Sequence, residues 1–529
     1  MIEGRLTLPR AHDAQACPAL RREGHPGSPA CAKHAAAFVC AAALVLACAA
    51  TLKAQDEGSR SFDLKGTVKL YGSVYTEDDA SDRYDPHEAL DYAINRGELH
   101  LKLDGYVSEK VSYKSHLAFT YGMRHDVRDL SQLEVQESGT EQETDLSTEL
   151  KAASITVMDL GTAGVDLTVG RQRIRWGTSD EYNVIDNLNP VDYGNVFSFD
   201  PDYFVEHLPM DGFNLEYRLP TEWELKAQFV YLLSFRPASL PEGFKERITD
   251  LMEDELEEQT APYGFPTGEV SVDLDSSPEY WAGKGTVGVR VGGNAFNMDW
   301  GVSYFHGYAG LPLIHAISSD ITLVEGTTLN ALMSYPRLDV LGFDLAGEVR
   351  SVGVWAEAGC YWPEDYVVRR TAKLMSTTRT DVIRLFDRPY WKYTLGFDYT
   401  FGIGSGLYWN VQFNHGFYDE FRYTPEAGSE LGLGRPGFMG GIEDYLATRV
   451  EYKFFHDELT TVLDCLLEMP DKSDVNGYSA VVVKPKLIYK PYDSTSFELA
   501  YVLITGDSRT KYGAFEKNDV VYLLTKVYF

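Results

Sequence analysis

The stretch WKYTLGFDYTF, Trp391 to Phe401, alternates with a period of two. Trp391, Tyr393, Leu395, Phe397, Tyr399 and Phe401 share one face, and Lys392, Thr394, Gly396, Asp398 and Thr400 share the other. Successive side chains of a strand point to opposite sides, so this segment reads as a strand with one aromatic and one polar face. The pattern recurs along the chain. Leu407, Trp409, Val411 and Phe413 oppose Tyr408, Asn410, Gln412 and Asn414; Leu99, Leu101 and Leu103 oppose Glu98, His100, Lys102 and Asp104. In a soluble sandwich the apolar face of such a strand meets a second sheet. In a membrane barrel it meets lipid, and the polar face lines a wet lumen.

The lengths of strands and links separate these readings. About 18 strand candidates run over 64-76, 94-106, 110-122, 149-159, 164-175, 212-219, 223-233, 283-292, 297-306, 337-346, 349-360, 391-401, 406-415, 444-454, 458-468, 479-489, 495-504 and 519-529. Most have the length a tilted strand needs to cross a bilayer. Short turns are expected at Val107-Ser108, Gly161-Thr162, Pro220-Thr221, Gly293-Asn294, Gly347, Gly402 to Ser405, Phe455-His456 and Pro491 to Ser494, and every intervening link is longer. Short turns on one side and long loops on the other predict an all-β, transmembrane, antiparallel up-and-down barrel with periplasmic turns and extracellular loops. The last strand alternates Val521, Leu523, Thr525, Val527 and Phe529 against Tyr522, Lys526 and Tyr528. It resembles the terminal signal by which outer-membrane barrels are read by the barrel-assembly machinery.

Composition fits one barrel rather than several soluble domains. Among 529 residues, 44% are hydrophobic and 13% aromatic, which excludes disorder. A mean hydropathy of -0.25 excludes a bundle of apolar spanning helices. The 79 Asp and Glu outnumber 48 Lys and Arg, and no basic run is long enough to bind nucleic acid. One apolar run, Ala35 to Ala50, follows Arg21, Arg22, Lys33 and His34 and reads as the core of a secretory signal. Residues 1-54 are therefore expected to be an N-terminal extension plus signal peptide, and 55-529 the outer-membrane barrel. The leader carries away six basic and three acidic residues, deepening the formal charge from -31 to -34, and leaves only Cys360 and Cys465. That pair supports neither a disulfide framework nor a cysteine metal site.

The most unusual stretch is GRQRIRWGTSDEYNVIDNLNPVDY, Gly170 to Tyr193. Arg171, Arg173 and Arg175 share a parity that conflicts with lipid-facing Val165, Leu167 and Val169 just before them. An arginine facing lipid at mid-bilayer costs about 2-4 kcal/mol. A bulge at Gly170 would turn the three guanidiniums to the lumen and leave Gln172, Ile174 and Trp176 facing out. Alternatively, the strand has already left the membrane and the arginines sit at the rim.

The succession Gly-Arg-Gln, Arg-Trp-Gly and Asn-Leu-Asn-Pro-Val-Asp within this stretch resembles a motif of bacterial outer-membrane porin-like barrels related to the alginate-export group. The resemblance implies a channel or exporter with an arginine-lined constriction, and it does not imply alginate. It carries over to Arg171, Gln172, Arg173, Arg175 and Trp176, and to Asp186, Asn187, Asn189 and Asp192 in the following loop. There, Asp186 and Asp192 either bridge the arginines to pin an inward-folded loop or contact solute.

Further inward-facing cations are Arg290, Lys392, Arg449, Lys484 and Lys486, interspersed with acidic residues. They either pair across strands to hold the barrel or form a transverse field that sorts solutes. Between Pro241 and Pro262, Phe244, Ile248, Leu251, Met252 and Leu256 recur at helical spacing, and Asp78, Asp79, Asp82 and Asp85 form an acidic loop set matching no defined calcium loop. His100, His116, His207, His306, His315 and His415 form no metal-ligand pair or nucleophile elbow, so neither catalysis nor a cofactor is expected. The sequence thus predicts an outer-membrane porin-like channel for passive passage of small or oligomeric hydrophilic solutes. A surface-binding barrel with a closed lumen is the main alternative and a hydrolase a lesser one. Expected partners are outer-membrane lipid and lipopolysaccharide, the assembly machinery through Phe529, the solute and, optionally, further copies of the chain.

Overall fold

A computed structural model describes residues 62-78, 89-90, 92-122, 126-127, 146-179, 182-193, 206-238, 240-241, 249, 253, 267-274, 285-322, 326-364, 367-374, 377-385, 388-418, 420-421, 441-469, 479-507 and 510-529. The expected leader, Asp79, Asp82, Asp85 and all of the expected loop helix except Thr249 and Glu253 lie outside them.

Strands follow in the order β1 (Phe62–Tyr75), β2 (Tyr92–Ser108), β3 (Val111–Gly122), β4 (Asp126–Val127), β5 (Leu146–Val157), β6 (Val165–Gln172), β7 (Met210–Arg218), β8 (Lys226–Leu232), β9 (Leu240–Pro241), β10 (Thr267–Leu274), β11 (Thr286–Ala295), β12 (Met298–Tyr308) and β13 (Leu313–Thr322). There follow β14 (Gly326–Ser334), β15 (Arg337–Val349), β16 (Val352–Pro363), β17 (Val367–Leu374), β18 (Thr377–Arg384), β19 (Tyr390–Phe401), β20 (Leu407–His415), β21 (Asp444–Phe454), β22 (Leu459–Met469), β23 (Ala480–Tyr492), β24 (Thr495–Gly506) and β25 (Val520–Tyr528).

Eighteen of these form one sheet in which sequential barrel strands pair antiparallel, and β25 pairs with β1 to close the cylinder. The seam is held beyond the last strand by reciprocal backbone bonds, Gly66 N–H to Phe529 O at 2.8 Å and Phe529 N–H to Gly66 O at 3.0 Å. Closure answers the absence of water in hydrocarbon, where each unpaired backbone group costs several kcal/mol. The outer face carries the aromatic and aliphatic residues that the alternation assigned to it, with Phe343, Leu395, Leu499 and Leu523 all large and exposed. The opposite parity is buried and polar, with Glu98, Gln228, Asp344, Glu357, Thr394 and Asn414 pointing inward. This is a closed outer-membrane barrel with its apolar belt toward lipid.

The short links lie where the sequence placed them, with three shifts. β2, β11 and β15 run past Val107-Ser108, Gly293 and Gly347, and the turns fall on Glu109-Lys110, Phe296-Asn297 and Arg350-Ser351, the last two with positive φ. A two-residue hairpin needs that backbone to match the strand twist, and here non-glycine residues adopt it.

The long links are less loop-like than expected. Parts of three of them form a five-stranded sheet in the order β10-β14-β13-β17-β18, parallel at β10–β14 and β13–β17. Its buried face carries Val272, Ile317, Ala331 and Val368, which continue the apolar cluster formed inside the barrel.

If the outer belt faces lipid, Phe343→Arg near the middle of β15 should lower barrel stability by about 2-4 kcal/mol. Lys102→Leu, an exposed inward-facing change, should alter it by less than about 0.5 kcal/mol. Urea unfolding in lipid vesicles checks the pair.

Candidate functional site

After Gln172 the chain leaves the wall and turns inside the barrel, where residues 173-179 and 182-193 lie. Ile174 and Trp176 are buried, and the Trp176 indole N–H donates to Gln228 Oε1 on β8 at 2.8 Å. Gly288 on β11 leaves room for that ring, since a Cβ there would lie 2.7 Å from it. Gly177, with φ +90, lets the chain reverse against Asn183 and Glu357, where a Cβ would come within 2.4 Å of both side chains.

The main anchor is Glu357 on β16, whose side chain is almost fully buried. It accepts the backbone N–H of Thr178, of Ser179 at 2.6 Å and of Val184 at 3.0 Å. One carboxylate therefore gathers three loop donors, and hydrogen bonds to a charged group are the stronger kind. Thr394 of β19 and Gln412 of β20 donate to the Tyr182 carbonyl at 3.2 and 3.3 Å, Tyr361 donates to the Val184 carbonyl, and Asn183 N–H donates to the Tyr418 hydroxyl at 2.8 Å. Two asparagines brace the loop from within. Asn183 Oδ1 accepts the N–H groups of Ile185 and Asp186, and its amide donates to the Trp176 carbonyl. Asn189 accepts from Ile174 N–H at 2.9 Å and donates to the Leu208 carbonyl at 2.8 Å.

The three arginines divide. The register through Gly170 is continuous, with Ser154 and Gly212 opposite it, so its positive φ produces no bulge. Arg171 keeps the parity of exposed Val169, faces outward and pairs with Asp211 at 2.8 Å. This corrects its expected place in the lumen and fits the rim alternative. Among the described residues, Arg171–Asp211 is one of three outward-facing acid-base pairs at the loop ends of neighbouring strands. The others are His306–Asp339 at 2.7 Å and His415–Asp444 at 2.6 Å. Beyond the wall, Gln172, Ile174 and Trp176 are buried rather than outward, because the chain has turned inside. Arg173 and Arg175 stand on the opposite, exposed side of the segment, and Arg175 donates to the Ser179 carbonyl at 2.6 Å.

Within the loop motif, Trp176, Asp186, Asn189 and Asp192 are buried and Asn187 is half-buried. Asp186 makes no ion pair with the arginines among the described residues, and the His207 ring lies 3.9 Å from it. Burial raises its pKa, opposed by the charges of His207, Arg173 and Arg175 and by the Trp176 N–H. The loop is thus pinned by Glu357 and by amides, without a bridge from Asp186 to arginine.

The remaining predicted cations point inward and are engaged. Arg290 pairs with Asp344 at 2.6 Å and Lys486 with Asp464 at 2.6 Å. Arg449 lies 3.0 Å from Glu451 and 3.6 Å from Asp464, whose strand also faces Lys484 in register. Lys392 donates to the carbonyls of Phe417 and, at 3.3 Å, Tyr418, so it ties down a second link.

Sequence reading missed Glu357, Gln228, Gln412 and Tyr418 as loop anchors. Glu357 left a signal, a single charge on the inward face of the otherwise apolar run VGVWAEAGCYW.

No protein-family model matches the chain, and no curated protein matches it. Among solved structures it is similar to OccAB4 of Acinetobacter baumannii, at 9% identity over 89% of this chain and 98% of that one, with a TM-score of 0.46. It is similar to the outer membrane protein opdK of Pseudomonas aeruginosa, at 12% identity over 88% and 98%, with a TM-score of 0.43. Wzi of Escherichia coli, described as a carbohydrate-binding β-barrel involved in capsule assembly, aligns at 10% identity over 88% and 84%, with a TM-score of 0.43. These are likenesses only. Closure of the sheet and its lipid-facing belt define the class, an outer-membrane β-barrel.

Replacing Glu357 by Ala removes the acceptor shared by three loop N–H groups. Amide hydrogen exchange at Thr178, Ser179 and Val184 should then accelerate by at least about 10²-fold, with protection of β1, β2 and β25 unchanged. Unchanged exchange in the loop would remove Glu357 as its anchor.

Proposed function

We propose that the chain is a porin-like channel for passive passage of small or oligomeric hydrophilic solutes, with residues 173-193 as the inward-folded segment that narrows it. The observation that carries this reading is the path of that segment. It is tied to β8, β16, β19 and β20 and buries Ile174 and Trp176 on one side while Arg173 and Arg175 stay exposed on the other. A wall with engaged cations and a crossing segment with two exposed guanidiniums concentrates the positive field along that segment. The arginine-lined constriction implied by the resemblance to the alginate-export group is consistent with these two positions; the solute is a separate question. Most of the chain's acidic excess is in loops, so the net charge does not set the selectivity of the constriction.

The C-terminal strand fits a role as the handle for the assembly machinery. Its last residue completes the seam, and a Cβ on Gly66 would collide with the Phe529 ring at 2.0 Å.

In planar bilayers the purified barrel should form channels with a preference for anions. The double variant Arg173→Ala, Arg175→Ala should move the reversal potential in a salt gradient toward cations, and Arg171→Ala should leave it unchanged. The absence of any channel, or a shift with Arg171 alone, would contradict the assignment.

A further inference from the structure

Between the inward segment and the wall lies an open-mouthed cavity of about 70 Å³, room for several water-sized groups. Its lining is aromatic on several sides. Tyr361 and Tyr390 stack with centroids 5.1 Å apart at 11°, Tyr418 and Phe421 stand beside them, and Phe235 and Tyr308 face in with centroids 5.3 Å apart. Its carboxyl and amide groups come from the segment itself. Asn187 lies with its amide 3.5 Å from the Tyr361 hydroxyl. Asp186 is 5% exposed, receives one long bond from Trp176 N–H at 3.4 Å, and has its other oxygen 3.9 Å from His207. That distance is beyond a hydrogen bond, so His207 does not donate to this carboxyl oxygen, which remains an acceptor in the lining.

The charges decide the class of guest. Lys392 lies over the Tyr361 ring at 5.3 Å and is committed to the Phe417 and Tyr418 carbonyls. Arg236 reaches the Pro209 carbonyl at 3.5 Å and Glu149 at 3.7 Å. Both cations in the lining are thus engaged, which disfavours a carboxylate or phosphate guest. An amine is disfavoured too, because Arg173 and Arg175 act on Asp186 alongside these cations. A neutral polyhydroxylated ring meets the lining on every side, with its C–H faces against tyrosine rings and its hydroxyls donating to Asp186 and exchanging bonds with Asn187.

We propose that this cavity is a binding subsite for a neutral sugar ring, placed beside the constriction. The inference deepens the channel reading and rests on it for the route by which sugar arrives.

The test uses the full-length mature barrel in detergent, titrated with methyl glucoside, methyl galactoside and methyl mannoside. Glucosamine and benzoate serve as cationic and anionic probes, and saturation-transfer NMR reads binding. At least one methyl glycoside should bind, and both charged probes should bind at least tenfold more weakly. Asn187→Leu and Asp186→Asn should each weaken the glycoside at least tenfold while the barrel keeps its heat-modifiable mobility on gels. Absence of glycoside binding, tighter binding of either charged probe, or glycoside binding unchanged in both variants would overturn the subsite. Conductance recorded on the same preparation keeps the two readings apart. An open channel that binds no glycoside refutes the subsite alone, and a glycoside-binding barrel without conductance refutes the channel alone.

Discussion

Hydrocarbon offers no partner to a backbone N–H, and that single constraint organises the molecule. A sheet in lipid has to close, so β25 must find β1, and the bonds between Gly66 and Phe529 extend the closure beyond the last strand. Closure fixes the parity of every strand, because a slip by one residue would turn polar side chains such as Glu98, Asp344 and Glu357 into lipid. Those inward polar groups then need partners of their own. Arg290, Arg449 and Lys486 supply some of them in pairs along the wall.

Glu357 finds its partners differently. It has no cation of its own among the described ion pairs, and three backbone N–H groups of residues 178-184 complete it. A buried carboxylate without donors is costly, so wall and segment are mutually dependent. Trp176 against Gln228 and the Tyr182 carbonyl against Thr394 and Gln412 extend the same relation around the barrel. The inward path of the segment is therefore a consequence of the polar inner face, and the exposure of Arg173 and Arg175 is a consequence of that path.

The barrel was legible in the sequence because alternation is local. All eighteen wall strands lie within a few residues of where the period of two put them, and the inward parity of Lys392, Arg449 and Lys486 follows from the same count. The segment was not legible, for a reason that Arg171 and Trp176 make concrete. Parity predicts a side chain's direction only while the chain remains in the wall, and after Gln172 it does not. The sequence reading kept the chain in the wall and invoked a bulge at Gly170, which placed Trp176 outside and Arg171 inside, the reverse of their positions; the register is continuous and the chain leaves the wall instead. The extracellular sheet was missed for a related reason. Strands such as Thr377–Arg384 are polar on most positions and are defined by pairing with β17, which no single stretch of sequence reveals.

The central claim is that residues 173-193 occupy the conduction path. It is tested most directly by Arg173→Cys, made with Cys360 and Cys465 replaced by Ser, in a single open channel exposed to a bulky charged thiol reagent. The account predicts a stepwise, irreversible fall in current that the cysteine-free channel does not show. An unchanged current, with full modification of the cysteine confirmed by mass, would contradict it.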